Sequence, residues 1–97
     1  MRAKAKKIRD RWSELRRLVN DWDPVGLIAA GAPTDEYDCI SGPLLRCLEE
    51  QASAGEIAEY LTGEFRDHFG VRISDAPVFA RRVVSWHQAF AAPGEAG

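Results

Sequence analysis

Five carboxylates, Asp21, Asp23, Asp35, Glu36 and Asp38, crowd into eighteen consecutive positions. Closely set oxygen ligands are what Ca²⁺ or Mg²⁺ requires, so this cluster could serve a metal-dependent binder or an enzyme. Its spacing fits no EF-hand loop, however, and short acidic side chains beside Pro and Gly have a more ordinary use. Asp23 can fix the turn at Pro24, Thr34 or Asp35 can accept from backbone donors, and negative charge at a helix start complements its dipole. The expectation is capping and turn formation, with no metal and no cofactor.

The other reactive residue types offer less. His68 and His87 lack a second nitrogen or sulfur ligand at helical spacing, and no Cys-x-x-Cys pair occurs. Asp67 precedes His68, but neighbours on a helix point about 100° apart and do not make a base with its orienting group. Cys39 and Cys47 on one helix would stand about 12 Å apart, too far to bridge, and read as small packing residues. Ser41, Ser53 and Ser74 read as helix caps. No catalytic set emerges, and the expectation is a non-enzymatic protein.

Arg2, Lys4, Lys6, Lys7, Arg9, Arg11, Arg16 and Arg17 make the start of the chain basic. Such a face could follow nucleic-acid phosphates or lie on anionic lipid. Its apolar seam is narrow, though, and strongly acidic sequence follows it. A solvated or internally paired face is expected, with no membrane partner and with nucleic-acid binding as a rival reading.

These residues must be held by helices. Ile8, Trp12, Leu15, Val19 and Trp22 recur at steps of four and three, an apolar stripe of about four turns and the longest helix expected. It should end near Trp22, because the residue before Pro24 is pushed out of helical geometry. Asp23 to Asp38 holds two Gly and two Pro and reads as a long ordered loop, with Val25, Leu27, Ile28 and Tyr37 folded over the core. A second helix carries Leu44, Leu45 and Leu48. Ser41 is its expected N-cap, with Pro43 in the first turn, since a helix begun at Asp38 would have Pro43 in its interior. A capping box at Ser53 and Glu56 opens the third helix, Ile57, Leu61, Phe65 and Phe69 form its face, and Gly70 stops it. The fourth starts at Ser74 or Asp75 and presents Phe79, Val83, Trp86 and Phe90.

The result is an all-α bundle of about four amphipathic helices, with residues 1–90 as one domain and 91–97 as a tail. A chain of 97 residues with 45% hydrophobic side chains can build that single core. Sparse cysteine and the lack of a long apolar run point to the cytoplasm. The formal net charge of -2 hides an asymmetry: +6 over residues 1–20, -9 over 21–70 and +1 over 71–97. A field of that kind steers a basic partner, so a protein-binding surface is expected at Asp35, Glu36, Asp38, Glu56, Glu59 and Glu64. An immunity or antitoxin-like inhibitor, or a regulator, has this size and charge.

Trp22-Asp23-Pro24-Val25-Gly26-Leu27, Gly31-Ala32-Pro33-Thr34-Asp35-Glu36-Tyr37-Asp38 and Glu56-Ile57-Ala58-Glu59-Tyr60-Leu61 together resemble the YugE-like family of small bacterial domains of unknown function. The resemblance spans most of the chain, up to Phe69-Gly70. It implies a compact helical domain with no assigned activity; Trp22, Asp23, Pro24 and Tyr37 are expected to form a structural loop motif. It also implies a continuous helix after Asp-Glu-Tyr-Asp, from which Gly42-Pro43 looks like a departure.

Overall fold

The computed structural model describes residues 10–90. Ile8, the basic positions from Arg2 to Arg9 and the expected tail therefore lie outside the described residues. Four helices follow in order, α1 (Arg11–Trp22), α2 (Asp38–Glu49), α3 (Ala54–Phe69) and α4 (Ala76–Phe90), with no strand among the described residues. This is an all-α bundle with a long loop between α1 and α2.

Asp10 caps α1, its Oδ1 accepting from the Trp12 and Ser13 amides at 3.1 and 3.3 Å and its Oδ2 from the Ser13 hydroxyl at 2.8 Å. The helix ends at Asp23, whose backbone is left-handed at φ 45° and whose N–H returns to the Val19 carbonyl. Leu15 and Val19 are fully buried. At 12 residues α1 is shorter than the 16 of α3, so it is not the longest helix expected: Asp10, extended at φ -98° and capping the first turn, stops it from running back to Ile8.

The beginning of α2 corrects the sequence reading. The helix starts at Asp38, not after Ser41, and Pro43 stands inside it. Pro43 has no N–H for the Cys39 carbonyl, the penalty that argued against this helix. Tertiary packing overrides it: Ile40 is buried on the same face as Leu44 and Leu48, and a helix beginning only after Ser41 would have left Ile40 out of it. The Tyr60 hydroxyl of α3 also donates to the Ile40 carbonyl at 2.9 Å, three residues before the proline. Ser41 is no cap; it is fully buried, and its hydroxyl has no hydrogen-bond partner.

For α3 the local signals suffice. Ser53 Oγ accepts from the Glu56 amide at 3.1 Å, Glu56 Oε1 accepts from the Ser53 amide at 2.8 Å, and Gly70 closes the helix at φ 66°. Ile57, Leu61 and Phe65 are fully buried. In α4, Ala76, Phe79, Ala80 and Val83 face the core, and the Asp75 carbonyl accepts from the Val78 and Phe79 amides at the start.

Pair contacts give the helix directions. Arg11 meets Glu49 and Arg16 meets Asp38, so α1 and α2 run antiparallel. Trp22 bonds Asp75 while Trp86 bonds Glu14, so α1 and α4 do likewise. One end of the bundle thus collects the α2–α3 connector and the C-terminal half of α4. The other collects the loop, the start of α2 and the start of α4.

Candidate functional site

The carboxylate of Asp23 organises the loop. Its Oδ1 accepts from the Ile28 amide at 3.0 Å and from the Tyr37 hydroxyl at 2.7 Å, and its Oδ2 accepts from the Ala29 amide at 2.9 Å. Burial by itself would raise this carboxyl, but the Tyr37 hydroxyl and the backbone donors outweigh it and hold it below the ordinary range. The Tyr37 hydroxyl also accepts from the Val25 amide at 3.2 Å. Burial, followed by its bond to Asp23, pushes Tyr37 up to about 12. Pro24 starts the first turn, where the Gly26 amide reaches the Asp23 carbonyl at 3.1 Å. Gly26 and Gly31 take the left-handed backbone at φ 83° and 95° that lets so long a segment fold on itself.

Aromatic contacts fasten this assembly to the helices. Trp22 stacks on Phe79 at 4.0 Å and meets Phe65 edge-on at 5.5 Å, and its indole N–H donates to Asp75 Oδ2 at 2.9 Å. Tyr37 packs edge-on against Phe65 and Phe69 of α3. Trp22, Asp23, Pro24 and Tyr37 therefore act together, each through a different contact.

The six acidic positions do not form one patch. Asp35 and Glu36 are exposed on the loop, beside Asp38 at the start of α2. Glu56 sits at the far end of α3, roughly 20 Å along the helix from the Phe69 that touches Tyr37. Three of the six carboxylates are already engaged: Asp38 by the Arg16 guanidinium at 3.0 Å, Glu56 in the capping box and Glu64 by His68 at 2.9 Å. Asp35, Glu36 and Glu59 have no hydrogen bond or ion pair on their side chains among the described residues. Among those residues, no three His, Cys, Asp or Glu side chains are grouped to hold a metal ion.

On the basic helix, Arg11 approaches Glu49 at 3.9 Å and lies 5.5 Å from the Phe90 ring, and Arg16 holds Asp38. Cys39 and Cys47 lie together on α2 as free thiols. Burial, with Glu50 nearby, pushes the Cys47 thiol up and disfavours the reactive thiolate. His87 is half-buried, and its Nε2 has no partner. Sequence reasoning placed Asp75 only as a possible start of the fourth helix and gave no role to Glu14, whereas the two accept from the Trp22 and Trp86 indoles. The only available signal was that a half-buried indole needs an acceptor.

No known protein family, no curated protein and no solved structure matches the chain. Among the described residues, no helix is long and apolar enough to cross a membrane.

Proposed function

We propose that the chain is a non-enzymatic interaction module that docks a basic protein partner through exposed carboxylates of the loop, with those of α3 extending the acidic field, acting as an inhibitor or regulator in the cytoplasm. The observation that carries this reading is the exposure of Asp35, Glu36 and Glu59 without an ion pair among the described residues, within a stretch of residues 21–70 whose formal charge is -9. Carboxylates left unpaired on a rigid scaffold cost little in water and raise the encounter rate with a basic surface. Asp23 is too fully occupied by three protein donors for the loop cluster to favour metal chemistry. Membership of the YugE-like family is part of the same proposal and adds no activity to it.

The test is a pull-down from native lysate, comparing the parent with a variant carrying Asp35→Lys, Glu36→Lys and Glu59→Lys. A basic protein retained by the parent, released at raised salt and lost by the variant supports the reading. Equal retention by both, or no basic protein at all, overturns it.

A further inference from the structure

A cavity of about 520 Å³ opens between the α2–α3 connector and α4, at the end of the bundle away from the loop. Its size falls in the range that holds small molecules. Leu48, Ala52 and Val84 give it an apolar wall. Gln51, Ser53, His87 and Gln88 give it a polar one, with no carboxylate, guanidinium or ammonium group among the described lining residues. The charges nearest His87, Arg11 and Glu49, approach each other at 3.9 Å and offset one another, so a charged ligand would gain little here for its lost hydration, whereas an uncharged ligand with a polar edge would lose little.

Gln51 is the informative residue. It stands just past the end of α2 with a left-handed backbone at φ 64°, in a Schellman motif: its own amide donates to the Leu48 carbonyl and the Ala52 amide to the Cys47 carbonyl, both at 3.0 Å. Glycine is the default at this position, as Gly70 shows at the end of α3. A glutamine there costs backbone strain and places a carboxamide at the cavity wall. Gln88 adds a second, exposed carboxamide to the lining. His87 Nε2 has no hydrogen-bond partner among the described residues but is shut off from water, so the imidazole as it stands presents no open nitrogen to the cavity. Burial, with the Arg11 guanidinium nearby, holds the imidazole below its ordinary range against the opposing pull of Glu49, so it stays uncharged at neutral pH.

We propose that this cavity binds a small, uncharged, planar molecule carrying an adjacent hydrogen-bond donor and acceptor, the edge presented by a primary carboxamide or a nucleobase. A glutamine carboxamide offers one donor and one acceptor side by side and matches such an edge bidentately. Ala52 and Val84, both half-buried, supply the surface for the ring face, with Leu48 behind them. The site is independent of the acidic docking surface, and either can fail alone.

The experiment is a titration of the full chain followed by amide chemical shifts, with nicotinamide and adenine as probes and benzene and benzoate as controls. Nicotinamide or adenine should give saturable shifts at Gln51, Ala52 and Gln88, with a dissociation constant in roughly the millimolar range expected for so few atoms. A response to nicotinamide alone identifies a carboxamide ligand, and a response to adenine alone a nucleobase. Gln51→Gly should weaken binding about tenfold or more while leaving the melting temperature equal or higher, because it relieves the left-handed strain. Gln88→Ala should weaken it as well. The proposal is overturned if no probe saturates, if benzene or benzoate binds as well, or if binding survives Gln51→Gly and Gln88→Ala together.

Discussion

The Tyr37 hydroxyl donates to Asp23 Oδ1 at 2.7 Å, joining two residues fourteen positions apart and closing the loop between α1 and α2. The bond is charge-assisted and nearly dry, since Tyr37 is 1% exposed, and the same hydroxyl receives the Val25 amide.

Tyr37→Phe keeps the ring packed on Phe65 and Phe69 and removes only this hydroxyl. It should cost about 1.5–3 kcal/mol, a fall in Tm of roughly 10 °C or more in thermal unfolding. The Asp23 carboxyl is depressed in the fold, so its contribution is present above the unfolded carboxylate range near pH 4 and is lost as pH falls through the lower folded value. The penalty of the variant should therefore shrink in acid. An unchanged penalty at about pH 2 would separate Asp23 from the effect.

Both tyrosines of the chain, Tyr37 and Tyr60, are shifted upward by burial, Tyr37 to about 12. A raised value means that the stability they contribute is intact below the unfolded tyrosine range near pH 10 and falls as pH rises beyond it. Tyrosinate absorbance should show no titration at pH 10, and ionisation should coincide with loss of helical circular dichroism. One tyrosine titrating normally while the fold persists would contradict the burial described.

Trp22→Ala removes the ring stacked on Phe79 and in edge contact with Phe65, and leaves the exposed Asp75 carboxylate to water. It should cost roughly 3–5 kcal/mol, enough to unfold a domain near the lower limit of ordinary stability. Trp22→Phe retains a ring and loses the indole donor, and should cost less. Equal urea midpoints for Trp22→Ala and the parent would mean that Trp22 does not support the core.

Pro43→Ala should stabilise the protein by about 1–3 kcal/mol, because an N–H returns to the Cys39 carbonyl inside α2 and the ring clash disappears. Ser41→Ala, which deletes a buried hydroxyl without a partner, should stabilise it by about 1 kcal/mol. Urea unfolding of both variants measures these gains. A loss of stability from Pro43→Ala would show that the proline stiffens the unfolded chain more than it strains the helix.

The α3 helix was legible because its evidence is local: a capping box, a face repeating every four residues and a stop glycine lie within eighteen positions. The start of α2 was not, because the local penalty of Pro43 is real and what outweighs it, the burial of Ile40 and the hydroxyl of Tyr60 twenty residues away, belongs to the assembled core. The bonds from Trp22 to Asp75 and from Trp86 to Glu14 span 53 and 72 residues, and no spacing rule reaches so far. For the acidic positions, sequence counts charge but not occupancy. Glu64 and His68 stand four apart on α3, a spacing legible in sequence, but the pairing of Asp38 with Arg16 across twenty-two positions is not.

The aromatic chain from Phe79 through Trp22 and Phe65 to Tyr37 and Phe69 has a consequence for cooperativity. Segments without regular structure usually open at a small fraction of the global unfolding free energy. Here the loop cannot lift away without pulling Tyr37 from between the α3 rings and releasing the Ile28 and Ala29 amides from Asp23. Those two amides should therefore exchange hydrogen as slowly as core amides of α3, and the segment between α1 and α2 belongs to the same foldon as the helices it connects.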